Sequence, residues 1–365
     1  MHRFRFVWIT VLLAGASALA DSPSPFTLST MPRVDVHAHI RNTWEVIDEY
    51  MELRDAIREQ YDADLAMWIS LSGDPPDLRE LHERYQGRVL WTINDYTGFR
   101  TVAGEEPKKM KYSPDDLAIW KERGVVGFKF YPGWGHGVQV DHPNHRPYFS
   151  KLEEIGMIGA SVHVANPHGT YGERTSGWYS CPVEFWRQQR AWENVLKAHP
   201  NLVVVNAHML WLCYSDEQLD YLRYMLTTYP NLYVDLATVP EMIYRVHRDN
   251  LRDFMIEYAD RVLFGTDMGT VWFAPDLGGA GDQFKTRASN YKRSFDFLET
   301  DKMLPSEFVD VTKGQTGVRL GVPGQRTIQG LALPLDVLEK IYFRNAMRIY
   351  PHVKENLKSL GYPVE

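Results

Sequence analysis

The amino-acid sequence predicts an α/β chain that closes into a (β/α)8 barrel with extended βα loops and a C-terminal helical segment, and three observations carry that prediction. Eight apolar, strand-like runs recur at 33–40, 64–71, 88–95, 125–131, 160–165, 202–208, 231–237 and 261–267, with helical patterns between them. Several of these runs hold a single ionisable residue near the carboxyl end, where such barrels place their chemistry. The glycine-rich phosphate turn that an open doubly wound sheet would carry after its first strand is missing, because strand one ends in histidines.

The first twenty residues stand apart. Arg3 and Arg5 precede the apolar run Phe6 to Leu13, and Ala18-Leu19-Ala20 offers small residues for cleavage before Asp21. This is the layout of a secretory leader, and the run is shorter than the roughly 20 apolar residues of a membrane span. The expectation is a periplasmic or secreted protein with no membrane anchor after cleavage: residues 1–20 as signal peptide and 21–365 as one domain. The chain of 365 residues exceeds the roughly 250 typical of one such barrel, so the surplus belongs to loops.

A formal net charge of -7 and no long Lys/Arg cluster exclude an electrostatic footprint for nucleic acid. The expected partner is a small-molecule substrate, with the oligomeric state left open, homo-oligomer included. The two cysteines, Cys181 and Cys213, fall on loops at the same end of the fold, where an oxidising compartment would allow a disulfide; two separate buried thiols are the alternative.

Helix boundaries are readable in places. Ser113-Pro114 with Asp116 reads as N-cap, N1 proline and acidic N3, and Ser215 with Gln218 as a capping box. Gly87, Gly124, His199-Pro200 and Tyr229-Pro230 end helices. The stretch from about Ala274 to Leu333 is poorly patterned and is expected to cap the barrel before a last helix, Pro334 to Tyr350.

Barrel strands are covered by helices outside and packed side chains inside, so a polar residue in an apolar strand is expected to face the lumen. Alternation places Asp35, His37 and His39 on one face of strand one. The same rule turns Lys129 and Tyr131 of strand four inward, with His163 of strand five, Val204, Asn206 and His208 of strand six, Asp235 of strand seven and Asp267 of strand eight. So many buried ionisable groups would cost several kcal/mol each if unpartnered. A divalent cation resolves that cost, since imidazoles and a carboxylate suit an ion such as zinc. Trp134, His168, Trp178, Trp211 and Trp272 fall just beyond strand ends and could wall a substrate pocket or serve packing.

Val34-Asp35-Val36-His37-Ala38-His39, Val162-His163-Val164, Asn206-Ala207-His208 and Phe264-Gly265-Thr266-Asp267, in this order, resemble the amidohydrolase superfamily, and within it the amidohydrolase family 2 branch of metal-dependent TIM-barrel hydrolases and related decarboxylases. Lys340-Ile341-Tyr342-Phe343-Arg344-Asn345-Ala346 also resembles that branch's closing helix. The resemblance implies that His37, His39, His163 and Asp267 bind one divalent metal ion, zinc foremost with manganese, iron or nickel as alternatives, and that His208 is a further ligand or a partner of the bound water. In two-metal members of the superfamily a carboxylated lysine bridges the ions. Here Lys129 is instead expected as an inward ammonium that neutralises a substrate carboxylate or pairs with Asp235.

The implied activity is hydrolysis of an ester, lactone or amide by a metal-activated water, with Asp267 as base and His208 or the metal polarising the carbonyl. Its rivals are non-oxidative decarboxylation of an unsaturated or aromatic acid on the same ligands, and a metal- or ligand-binding barrel without catalysis. A glycosidase would need two carboxylates flanking the scissile bond; Asp235 and Asp267 could form such a pair, but the histidines would go unexplained.

Overall fold

A computed structural model describes residues 24–95, 110–130, 139–160, 182–241, 243, 246–269, 280–305 and 327–365. The parallel strands are β1 (Pro32–His39), β2 (Asp64–Ser70), β3 (Val89–Asn94), β4 (Gly127–Lys129), β5 (Ile158–Ala160), β6 (Val204–Asn206), β7 (Leu232–Asp235), β8 (Val262–Leu263) and β9 (Met268–Gly269). Their order in the sheet is β8-β7-β6-β5-β4-β3-β2-β1-β9. The two outermost members are the two ends of one chain segment, so the sheet returns on itself and closes. Between them Val36 donates to the Phe264 carbonyl at 3.0 Å and Asp267 to the His37 carbonyl at 2.8 Å. The chain is an α/β barrel of the TIM type, as its sequence predicts, with its eighth strand broken into two short pieces.

Helices alternate with the strands: α1 (Trp44–Tyr61), α2 (Leu78–Tyr85), α3 (Pro114–Glu122), α4 (Arg146–Ile155), α5 (Pro182–Ala198), α6 (Asp216–Thr228), α7 (Arg248–Glu257) and α8 (Ala280–Glu299). At α3 the expected capping box is complete, with Ser113 and Asp116 each bonding the other's backbone N–H. At α6 half of it forms: Ser215 accepts the Gln218 N–H at 3.4 Å, while the Gln218 side chain accepts from Tyr214 N–H.

The apolar core lies between strands and helices. Phe128 and Phe130 meet edge to face at 4.6 Å, and Phe130 stacks on Phe149 of α4 at 4.7 Å. Each such pair adds about 0.5–1.5 kcal/mol beyond its buried area. At the opposite end from the site, buried Arg33 binds Glu299 of α8 at 2.6 Å and lies 4.5 Å from the centre of the Phe295 ring. No helix among the described residues is long and apolar enough to cross a membrane.

Three sequence expectations need correction. The stretch after Ala274 holds a 20-residue helix, α8, which buries Ala288, Tyr291, Phe295 and Leu298 at helical spacing. It is followed by an antiparallel pair of Met303–Pro305 with Thr327–Gln329. The second concerns strand six. In a parallel ladder directly paired residues share a face, and Val204 pairs with both Gly159 and Leu232, while Lys129 pairs with Ala160 and Asp235 with Leu263. Val204 and Asn206 are therefore out of phase with Lys129 and Asp235 and face the helices.

The third is Asp35, which pairs with Trp68 and turns to Tyr291 of α8. A register irregularity between Asp35 and Ala38 then brings His37 into the lumen. The expected C-terminal helix is present as Leu335–Glu339, a π-helical turn Lys340–Arg344 and Asn345–Ile349. It closes the back of β8, where Asn345 donates to the carbonyls of Ala259 and Val262 at 2.7 Å each.

Candidate metal centre

Strand ends β1, β4 and β7, the turn after β6 and the break in strand eight deliver their ionisable side chains to one point. The imidazole of His37 is central. Its Nδ1 donates to Asp235 Oδ2 at 2.9 Å, which leaves the lone pair on Nε2. That Nε2 lies 3.2 Å from Asp267 Oδ1 and 3.2 Å from Lys129 Nζ. His39 Nε2 approaches the same Asp267 oxygen at 2.9 Å and Lys129 Nζ at 3.4 Å. Gly265 makes the approach of strands one, seven and eight possible: a Cβ there would stand 3.0 Å from that of His37 and 3.3 Å from that of Asp235.

His208 arrives by another route. The four residues His208, Met209, Leu210 and Trp211 all hold left-handed backbone, with φ of 57°, 51°, 58° and 59°. For L-residues other than glycine this conformation costs roughly 1–2 kcal/mol each, so neighbours must impose it. The His208 N–H is fixed on Asp235 Oδ1 at 3.0 Å, Gln189 of α5 donates to the Leu210 carbonyl at 2.9 Å, and Leu212 N–H closes on the Met209 carbonyl at 3.0 Å. Strain concentrated in this way marks functional turns. His208 Nδ1 donates to the Ala237 carbonyl at 2.8 Å, so its Nε2 is an acceptor. Trp211, expected at a pocket wall, is buried with its ring 4.8 Å from that of His208.

Asp267 also sits in left-handed backbone, at φ 62°. With side chains 19% and 15% exposed, Asp267 and His39 are the members open to the barrel mouth, whereas His37, Lys129, Asp235 and His208 are buried.

The electrostatics follow from this packing. Burial and Lys129 pull the His37 imidazole down, but Asp235 and Asp267 outweigh them and raise its pKa. Partial desolvation and the neighbouring Lys129 lower His39 to about 4. Burial drives Lys129 down to about 8 against the pull of Asp267 and Asp235. Asp267 resists its own burial and is held well below the usual carboxylate range by His37 and His39. His208 is lowered by burial and is neutral near pH 7.

Do these residues fit a metal ion? One ring nitrogen of His37, one of His208 and a carboxylate oxygen of Asp267 lie within 4.8 Å of one another. Ligands held at 2.0–2.1 Å in tetrahedral array stand about 3.3 Å apart, close to the 3.2 Å and 2.9 Å separations of Asp267 from His37 and His39. His37 and His208 each commit Nδ1 to an oxygen acceptor, the arrangement that orients ligating histidines. The donor set fits. Asp235, the alternative partner expected for Lys129, is occupied by His37 and by the N–H groups of His208 and Ala237.

Of the site residues named from sequence, His37, His39, Lys129, His208 and Asp267 come together, with Asp235 behind them. His163, Tyr131, Trp134 and His168 lie outside the described residues, as does Cys181 and with it any pairing to buried Cys213.

A closed α/β barrel that gathers imidazoles and a carboxylate at the carboxyl ends of its strands is a member of the metal-dependent barrel enzymes. The chain belongs to the amidohydrolase family, whose model, Amidohydro_2 (Amidohydrolase), matches residues 34–352. Family members are enzymes that depend on a metal and act on small molecules. None of the curated proteins matches the chain. Among solved structures it is similar to an uncharacterized TIM-barrel protein, Bb4693, from Bordetella bronchiseptica, at 14% identity and a TM-score of 0.51, covering 91% of this chain and 100% of that one. It also matches 4-oxalomesaconate hydratase, LigJ, from Rhodopseudomonas palustris, at 14% identity, 90% and 98% coverage and a TM-score of 0.47. A putative 2-pyrone-4,6-dicarboxylic acid hydrolase from Pseudomonas putida matches at 12% identity, 92% and 99% coverage and a TM-score of 0.45.

Proposed function

We propose that this chain is a metal-dependent hydrolase that cleaves an ester, lactone or amide of a small molecule with one divalent ion, zinc foremost. The observation that carries the reading is the grouping of His37, His208 and Asp267 within 4.8 Å of one another, with His39 against the Asp267 carboxylate and Lys129 beside both strand-one imidazoles. His163 joins the proposed ligands on its motif alone.

When bound, the ion supplies Lewis acidity and lowers the pKa of a coordinated water from about 15.7 to about 7. The residues do the rest. Asp267, open to the mouth and ionised, takes the proton of the attacking water at its carboxylate and hands it to the leaving group. His208, neutral and with Nε2 as acceptor, suits a ligand or a water partner better than a carbonyl-polarising donor. Lys129 offers the positive charge for a carboxylate or developing oxyanion on the substrate. Asp235 holds the His37 ring and the His208 turn in place. Residues 1–20 read as a leader, which would put the reaction in the periplasm or outside the cell.

The test is zinc reconstitution of the metal-free protein against a panel of esters, lactones and amides. Zinc-dependent hydrolysis is the expected result. Carbon dioxide release from unsaturated or aromatic acids without hydrolysis would replace the reading with a decarboxylase, and tight zinc binding with no turnover would replace it with a binding module.

A further inference from the structure

We infer that Asp35 is the positioning residue that sets the distance between the His37 and Asp267 ligand turns; this rests on the metal-centre reading above. Asp35 is fully buried, and its carboxylate accepts four hydrogen bonds. Oδ1 takes the backbone N–H of His37 at 3.0 Å and of Thr266 at 3.1 Å. Oδ2 takes the hydroxyl of Thr266 and the hydroxyl of Tyr291, each at 2.6 Å.

The donors come from three places: the strand-one turn that carries His37, the strand-eight break that carries Asp267 on the next residue, and the helix α8 behind both. Charge-assisted bonds of this length are the strong ones, and a buried carboxylate satisfied by four donors has one permitted location. The chain of bonds continues outward. Tyr291 accepts Trp68 Nε1–H at 3.0 Å, and Thr266 Oγ1 accepts the Met268 N–H at 3.1 Å.

The need for this carboxylate follows from the sheet. β8 ends its pairing with β7 at Leu263, β9 begins its pairing with β1 only at Met268, and β1 shifts its register against β2 between Asp35 and Ala38. The regular backbone bonds that would hold two neighbouring strands in step are interrupted at the place where the ligands emerge. Two backbone bonds link strand one to strand eight there, Val36 N–H to the Phe264 carbonyl at 3.0 Å and Asp267 N–H to the His37 carbonyl at 2.8 Å, and Asp35 adds the bridge at Thr266 between them. Asp35 bonds the backbone that aims the imidazole and the carboxylate.

A purely structural role for Asp35 would lower stability and leave the ligands' grip on a metal unchanged. The experiment measures zinc affinity of the metal-free full-length chain by competition with a chromophoric chelator, together with the melting temperature of the same metal-free sample. Asp35→Asn and Thr266→Val are expected to bind zinc about 10- to 100-fold more weakly, the range for residues that orient ligands, with Thr266→Ser restoring wild-type affinity and Tyr291→Phe intermediate. Should Asp35→Asn not fold, the Thr266 and Tyr291 variants decide. Wild-type zinc affinity in the folded variants, with only the melting temperature lowered, would overturn the inference. A wild-type chain that binds no zinc would instead overturn the metal centre, and the inference with it.

Discussion

The carboxylate of Asp235 holds His37 by its ring and His208 by its backbone: Oδ2 accepts His37 Nδ1–H at 2.9 Å, and Oδ1 accepts the His208 N–H at 3.0 Å. One side chain at the end of β7 thereby fixes the tautomer of one proposed ligand and the strained turn of another. Asp235→Asn keeps the shape but places an amide where three donors converge. The expected outcome is a loss of about 10- to 100-fold in zinc affinity, the range for partners of ligating histidines, measured by chelator competition. Unchanged affinity would show that the left-handed turn and the His37 ring hold themselves.

Lys129 separates a one-ion site from a two-ion site. Its Nζ, an ammonium near pH 7 with a pKa of about 8, lies 3.2 Å and 3.4 Å from the Nε2 atoms of His37 and His39. A cation entering between those nitrogens is repelled by that charge. Lys129→Met should therefore bind one equivalent of zinc at least as tightly as the wild type while losing turnover on anionic substrates. Two equivalents in the wild-type protein, falling to one or none in the variant by elemental analysis, would make Lys129 a bridging ligand instead.

Asp267 carries the predicted base role. Held in left-handed backbone with its N–H on the His37 carbonyl, it keeps its position when the carboxylate becomes an amide. Asp267→Asn is expected to lower kcat by about 10²–10⁴-fold, the usual worth of a positioned base, with KM little changed. Steady-state kinetics on whichever ester or lactone the reconstitution panel identifies will check this, and wild-type kcat would remove Asp267 from proton transfer.

The barrel was legible because lumen-facing charges stand out in apolar strands: Lys129 between Phe128 and Phe130, and Asp235 between Val234 and Leu236, face as alternation predicts. Strand six was not. Val203, Val204 and Val205 carry no polar residue to mark a face, and strict alternation to His208 fails because His208 enters the lumen through a left-handed turn of residues with no preference for one. Helix α8 is hard to read from sequence because its helical stripe, Ala288, Tyr291, Phe295 and Leu298, is flanked on both sides by unpatterned residues. Asp35 shares its parity with His37, and only the register irregularity beyond it sends the two side chains to opposite faces. That reversal is a tertiary event, set by Tyr291 and Thr266 far along the chain.

Away from the site, Asp216 joins the starts of two helices and gives stability a defined pH window. Its carboxylate accepts the His247 N–H at 3.1 Å and the Asn250 side chain at 2.7 Å, and it pairs with the His247 ring. Burial pulls the Asp216 pKa up, but the bonds from Asn250 and His247 prevail and depress it below the ordinary 3.8. The hydrogen bond and charge of Asp216 raise His247 above its ordinary 6.5. A depressed carboxylate stabilises fully above its unfolded pKa and loses that contribution as pH falls through the folded one; a raised imidazole stabilises fully below its unfolded pKa and loses it as pH rises through the folded one. The melting-temperature gap between wild type and Asp216→Asn should accordingly be widest between pH 3.8 and 6.5 and narrow on both sides. Exposure of the imidazole keeps the effect small and sensitive to salt. Thermal melts from acid to mildly basic pH, at low and high ionic strength, measure it, and a gap that ignores pH would mean that the uncharged bonds to the helix starts supply all the stabilisation.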